Sequence, residues 1–192
     1  MRTIHRFMHG LLLVVALSTL QGCFPIVAAG LGAGALAGAD RRTLGSQLED
    51  NTIETKAAKQ IRIQYPDTVH VSVTSFNRHV LLTGEVPNEE IKAAVEKIAS
   101  DVANVTAVSN ELLVGELSGL TKRSNDSLIT SNVKLRFLNN KLFQPDHVKV
   151  VTEANVVFLM GLVYRKEADA AAEIASNSKS VDRVVTVFEY LD

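Results

Sequence analysis

Between residues 50 and 192 the apolar positions follow helical and strand rhythms that succeed one another in the same order twice. Ile53, Ala57, Ala58 and Ile61 recur at helical spacing behind a polar Asp50-Asn51-Thr52 that suits a helix start. Val69, Val71 and Val73 then alternate with His70 and Ser72, as in a strand with one face buried. Phe76-Asn77-Arg78 turns the chain into a more continuously apolar strand, Val80 to Val86. A second helix carries Ile91, Ala94, Val95 and Ile98, and a last strand runs from Val105 to Val114. The order then returns. Ile129, Val133 and Phe137 mark a helix, Val148-Lys149-Val150 a strand and Glu153-Ala154-Asn155 a turn. Val156 to Val163 is the apolar strand, Ala168, Ala171, Ala172 and Ala175 the second helix, and Val181 to Leu191 the closing strand.

The two stretches align as copies of one unit. Asp50-Asn51-Thr52-Ile53 is set against Asn125-Asp126-Ser127-Leu128, and His79 to Gly84 against Val156 to Gly161. Ile98-Ala99-Ser100 is set against Ile174-Ala175-Ser176, and Val105 and Val108 against Val181 and Val184. Helix-strand-strand-helix-strand predicts an α+β fold: two tandem units, each with two helices on one face of a three-stranded mixed sheet. The units are placed at 46–117 and 122–192, with ordered structure resuming near Asp50. Gly84 and Gly161, within or ending the second strand, suggest a bulge or a helix lying close to the backbone.

The N-terminal part has a different pattern. Met1 to Arg6 is basic through Arg2 and Arg6, Leu11 to Leu20 is apolar, and Leu20-Gln21-Gly22-Cys23 follows. This is the plan of a secretory signal, residues 1–22, whose apolar run is too short to span a bilayer. The ending resembles a lipobox, which implies acylation of Cys23, the sole cysteine; the other reading is an ordinary signal peptide with a stray cysteine. Phe24 rather than Asp after the cysteine implies transfer to the outer membrane, on its periplasmic face. Residues 23–45, rich in Ala and Gly, read as a flexible tether, or as an apolar helix lying among lipid headgroups.

Composition narrows the function. The formal charge of the 192-residue chain is -1, and removal of Arg2 and Arg6 takes it to -3, which is no nucleic-acid binder's balance. Aromatic residues make up 5% and Trp is absent, so Val, Ile, Leu and Ala must build the cores. Beyond the signal only His70, His79 and His147 remain, with no HExxH, no paired Cys and no Gly-rich phosphate loop. His70 and His79 fall on polar phases of adjacent strands, within possible reach across the hairpin, but no third ligand accompanies them. The chain reads as a non-enzyme, without metal, cofactor or small-molecule substrate.

The element order, the strands ending Leu82-Thr83-Gly84 and Leu159-Met160-Gly161, and the closing Val105-x-x-Val108 and Val181-x-x-Val184 resemble the BON domain. With the lipobox and the spacer Asp40 to Gln47, the whole chain resembles the family of dual-BON outer-membrane lipoproteins associated with division and outer-membrane stress that bind lipid. That resemblance implies non-catalytic binding of anionic phospholipid by the second unit, in support of envelope integrity. Its membrane contacts correspond to Leu128, Lys134, Arg136 and Leu138; the family's first contact is usually aromatic, so Leu128 departs from it.

The residues speak to the same helix independently. At about 100° per residue, Ile129, Val133 and Phe137 share one side, while Leu128, Leu135, Leu138 and Leu142 share another. Lys122, Arg123, Lys134, Arg136 and Lys141 accompany them, against Asp126 alone. Leucines flanked by cations suit a membrane interface. The same stripe would equally serve to pack on the first unit or to hold a protein. Two functions therefore stay open: an anionic-phospholipid binder, and a lipid-tethered adaptor for an envelope assembly or cell-wall-remodelling partner.

Overall fold

The computed structural model describes residues 40–192; the signal segment 1–22, Cys23 and the tether up to residue 39 lie outside the described residues. The elements in chain order are α1 (Leu44–Gln64), β1 (His70–Phe76), β2 (His79–Val86), α2 (Glu89–Ser100), β3 (Ala107–Asn110) and β4 (Leu113–Val114). They are followed by α3 (Leu120–Leu138), a single 3-10 turn (Pro145–His147), β5 (Val148–Glu153), β6 (Val156–Val163), α4 (Arg165–Ser176) and β7 (Arg183–Tyr190). In each unit the second strand is central, antiparallel to the first and parallel to the last. The α+β reading holds, with each helix pair covering one face of a mixed sheet.

Helix starts differ from expectation. Thr43 caps α1, its hydroxyl accepting the Ser46 N–H at 3.1 Å, so regular structure begins six residues before Asp50. Asp50 and Asp126 lie inside their helices and serve the hairpins instead. The Asp50 carboxylate accepts the backbone N–H groups of Asn77 (2.9 Å) and Arg78 (2.7 Å) and the Ser75 hydroxyl (2.7 Å). Asp126 accepts the N–H groups of Ala154 (3.1 Å) and Asn155 (2.9 Å). The two central residues of each turn have positive φ, 51° and 65° in one and 49° and 61° in the other, which suits the twist of a two-residue hairpin. This shared device pairs Asp50 with Asp126 and Ile53 with Ile129, correcting the helix alignment by one residue.

Ile53, Ala57 and Ile61 join Val80, Leu82, Val86, Val95 and Ala99 in the first helix-to-sheet core. Ile129, Val133 and Phe137 join Val157, Leu159, Val163, Ala171 and Ala175 in the second. Gly84 and Gly161 have a different cause from the one expected. No helix presses on them; a Cβ on Gly84 would lie 2.0 Å from the His70 carbonyl oxygen, and one on Gly161 would lie 2.4 Å from that of His147. The close approach comes from the first residue of β1 in one unit and from the last residue of the 3-10 turn leading into β5 in the other.

The last strand of the first unit is also interrupted. Asn110 Oδ1 accepts the Leu112 N–H at 3.2 Å, and Leu112 turns into the core, splitting the expected Val105–Val114 strand into β3 and β4. In the second unit β7 pairs along β6 without a break.

The sheet faces turned away from the helices meet each other. Phe76 and Leu81 from the first sheet pack with Phe158 and Met160 from the second, surrounded by Val151, Val156, Leu162, Val185 and Val187. The end of the expected tether also belongs to this assembly. Arg41 forms a fork with Glu167 (2.6 and 2.9 Å), donates to the Leu162 carbonyl (2.9 Å) and lies over the Tyr164 ring. Arg42 pairs with Asp40 (2.7 Å) and Asp50 (2.8 Å) and covers the Phe76 ring. Residues 40–43 are thus fastened to both units rather than free.

Candidate functional site

Because Val133, Phe137 and Ile129 are held by the second core, the register of α3 decides what the opposite side shows. Leu128 is 70% exposed, Leu135 59% and Leu138 66%, and Leu142 just beyond the helix is 71%. At about 100° per residue Leu128, Leu135 and Leu138 lie within one quarter of the helix circumference, with Lys134 beside one edge and Arg136 between the other edge and the buried side. Docking of the two units through their sheets leaves this stripe open, which overturns its packing against the first unit.

The cations are free to serve the same surface. Lys122, Lys134 and Lys141 are exposed and enter no ion pair among the described residues. Arg136 donates to the Asn177 carbonyl, which leans it across the α4 end while its head stays exposed. Asp126, the one acid of the segment, is buried and spent on the hairpin N–H groups, so the outward face carries positive charge only. The expected contact residues Leu128, Lys134, Leu135, Arg136 and Leu138 therefore share one exposed, amphipathic surface.

The equivalent positions on α1 are Thr52, Lys59 and Arg62, all exposed. The exposed apolar residues on that side are Leu44, Leu48 and Ile63, at 66%, 68% and 70%. These stand at the ends of α1, separated by the polar middle turns. A continuous apolar stripe is a property of α3.

The histidines are placed differently from the hairpin expectation. His70 faces Glu85 and His79 faces Phe76, at opposite ends of the β1–β2 ladder, so the two imidazoles are not neighbours. His79 Nε2 lies 3.0 Å from the Ser109 hydroxyl, and burial pushes its pKa down against the opposing pull of Glu189. His70 Nδ1 lies 2.9 Å from Glu85 Oε2 and 3.9 Å from Oε1 of Glu153, a residue of the other unit. Hairpin register alone could have paired His70 with Glu85. Nothing local in the sequence brings Glu153 there, because the docking of two sheets does so.

The BON-domain profile matches residues 49–116 and 125–192, the two units just described. The chain belongs to the BON-domain family. It is 39% identical over 178 residues, 90% of this chain and 91% of the relative, to the outer membrane lipoprotein DolP of Haemophilus influenzae. It is 34% identical to the 21 kDa hemolysin of Actinobacillus pleuropneumoniae, over 79% of each chain. It is 30% identical to the osmotically-inducible protein Y of Escherichia coli, over 75% of this chain and 72% of that one. Among the described residues no helix is long and apolar enough to cross a membrane. This dual-BON chain therefore resembles an outer membrane lipoprotein over nine-tenths of its length.

Proposed function

We propose that this protein is a non-catalytic lipoprotein, anchored through Cys23 on the periplasmic face of the outer membrane, that binds anionic phospholipid through α3 and supports outer-membrane integrity. The anchor rests on the lipobox-like Leu20 to Cys23 and on similarity to a protein named as an outer membrane lipoprotein. The lipid contact rests above all on one observation: an exposed leucine stripe accompanied by Lys134 and Arg136, on a helix whose one acid, Asp126, is buried.

Magnitudes make the two attachments complementary. Full burial of a leucine contributes about 1.5–3 kcal/mol, and a cation near an anionic surface about 1 kcal/mol. Three partly inserted leucines and two cations give several kcal/mol, a reversible contact that vesicles in excess reveal without the anchor. An acyl anchor supplies the high local concentration at which such a contact is occupied. The helix then selects among lipids already within reach of the anchor.

Flotation of the Cys23→Ser mature chain with vesicles of phosphatidylglycerol and phosphatidylcholine tests the lipid contact. Binding is expected with the mixture, not with phosphatidylcholine alone, and is lost in Leu128→Glu and Leu138→Glu while the melting temperature stays nearly unchanged. Unaltered flotation by these variants and by Lys134→Glu/Arg136→Glu rejects α3 as the contact. Absence of vesicle binding by the parent leaves the tethered adaptor as the better reading. An unmodified thiol in the membrane-purified protein, read by intact mass, rejects the anchor.

A further inference from the structure

The buried carboxylates at the junction of the two units are not explained by lipid binding. Glu85 and Glu153 are 5% and 8% exposed, and their oxygens lie with His70 Nδ1 in a set whose members are all within 4.8 Å of one another. The fold does not need acids there. By the repeat, the counterpart of Glu85 is Leu162 and that of Glu153 is Phe76, both in the apolar contact between the sheets. His70 has a counterpart, His147, whose Nδ1 lies 3.7 Å from Glu167 without a second carboxylate from across the junction. Two buried acids have replaced apolar residues at one point only.

We propose that His70, Glu85 and Glu153 form a binding site for a divalent transition metal, best suited to zinc, that bridges the two BON units. Three features carry it. An imidazole with two carboxylates is a donor set that favours zinc over calcium or magnesium, which take oxygen ligands. Zinc bonds of about 2.0–2.2 Å place tetrahedral donors about 3.3 Å apart; the His70 nitrogen stands 2.9 and 3.9 Å from its two carboxylates, so small side-chain rotations bring the donors into range. The Glu153 carboxylate, finally, accepts no hydrogen bond among the described residues although its side chain is nine-tenths buried, and it borders an open cleft, so its oxygens are available to a ligand.

The surroundings agree with a doubly positive guest. An open cleft of about 170 Å³ borders His70 and Glu153 and is completed by Arg123, Asp126, Ser127 and Thr130 of α3, leaving a way in and room for a water as the fourth ligand. Glu85, Glu153 and Asp126 set three carboxyl groups there against one guanidinium, that of Arg123, an excess of acid that a divalent cation offsets. Because His70 and Glu85 come from one unit and Glu153 from the other, metal binding would stabilise their docking.

Calorimetric titration of the metal-stripped full chain in detergent with zinc chloride at pH 7.5 tests this. One zinc per chain is expected, with affinity falling at least 100-fold in Glu153→Gln and in His70→Asn and unchanged in His147→Asn. Zinc should raise the melting temperature of the parent and of His147→Asn, and not of the other two. Glu153→Gln keeps the side chain's shape and removes a buried charge, and far-UV circular dichroism verifies that each variant is folded. No saturable zinc binding by the parent overturns the site. So does binding that survives both Glu153→Gln and His70→Asn, which would place the zinc elsewhere.

Discussion

Helices α1 and α3 occupy equivalent places in the two units, bury equivalent residues and show opposite characters to solvent. Inward, Ile53, Ala57 and Ile61 of one match Ile129, Val133 and Phe137 of the other, and each helix lends a buried aspartate to its hairpin turn. Outward, Thr52, Lys59 and Arg62 face Leu128, Leu135 and Leu138 across the repeat, the first set polar and the second 59–70% exposed and apolar. The fold constrains only the side of the helix that meets the sheet. The other side is free to diverge, and a stripe of exposed leucines that no packing demands marks where a surface has been kept for contact.

The largest effect belongs to the constrained side. Val133→Glu places a charge without a partner in the second core and should cost more than about 4 kcal/mol, unfolding that unit, whereas Lys134→Glu beside it should change stability by no more than about 0.5 kcal/mol. Urea unfolding followed by circular dichroism distinguishes the pair.

Exchange of the outward faces comes next. Leu128→Thr, Leu135→Lys and Leu138→Arg together give α3 the exterior of α1, and should reduce affinity for phosphatidylglycerol vesicles at least tenfold with little change in melting temperature. The reverse graft on α1, Thr52→Leu, Lys59→Leu and Arg62→Leu, should raise vesicle affinity. If the reverse graft binds no better, exposure of leucines alone is insufficient and the cations beside α3 carry the contact.

The hairpin aspartates sharpen the comparison within the shared design. Asp50 also bonds Ser75 and pairs with Arg42, whereas among the described residues Asp126 accepts from two N–H groups only. Asp50→Ala should therefore cost about 3 kcal/mol and Asp126→Ala about 2 kcal/mol, since hydrogen bonds to a charged group contribute about 1.5–3 kcal/mol each and part of the loss is recovered by water. Equal costs would mean that the extra partners of Asp50 contribute nothing.

The smallest effect is a pH dependence at the strap. Arg41 hydrogen-bonds Glu167 and holds its carboxyl below the usual glutamate range, against the opposing effect of burial. A lowered folded pKa stabilises the fold above the ordinary glutamate value of about 4.3, and that contribution fades as pH falls through the folded value. The melting temperature of Arg41→Ala should thus lie below that of the parent at pH 7, and the gap should close as the pH is taken below 4. A gap that stays constant with pH would assign the strap's effect to its contacts with Tyr164 and Leu162 alone.

Much of each unit was legible because its signals are local. Alternation at Val69, Val71 and Val73 and helical spacing at Ile129, Val133 and Phe137 report a side chain's immediate surroundings, and the repeat gave each reading twice. The exposed stripe was partly legible for the same reason, since a helix with one core-facing side leaves any second apolar side without an assigned partner. The helix start at Thr43 was missed because Asp50 has the chemistry of a cap yet spends its carboxylate on a turn 27 residues ahead. The break after Asn110 escaped the pattern because an amide side chain competed with the ladder for one N–H.

By itself, then, the sequence determined two α+β units in tandem, their inward faces and the family to which they belong, since these follow from short-range periodicity repeated in one chain. Only the tertiary structure decided that the sheets stack through Phe76, Leu81, Phe158 and Met160, that Arg41 and Arg42 fasten both units, and that Glu153 joins His70 and Glu85. Apart from Arg42 with Asp50, which are eight positions apart, those contacts join residues tens to more than a hundred positions apart. They arise from matching two already formed surfaces, and no period along the chain encodes which surfaces will meet.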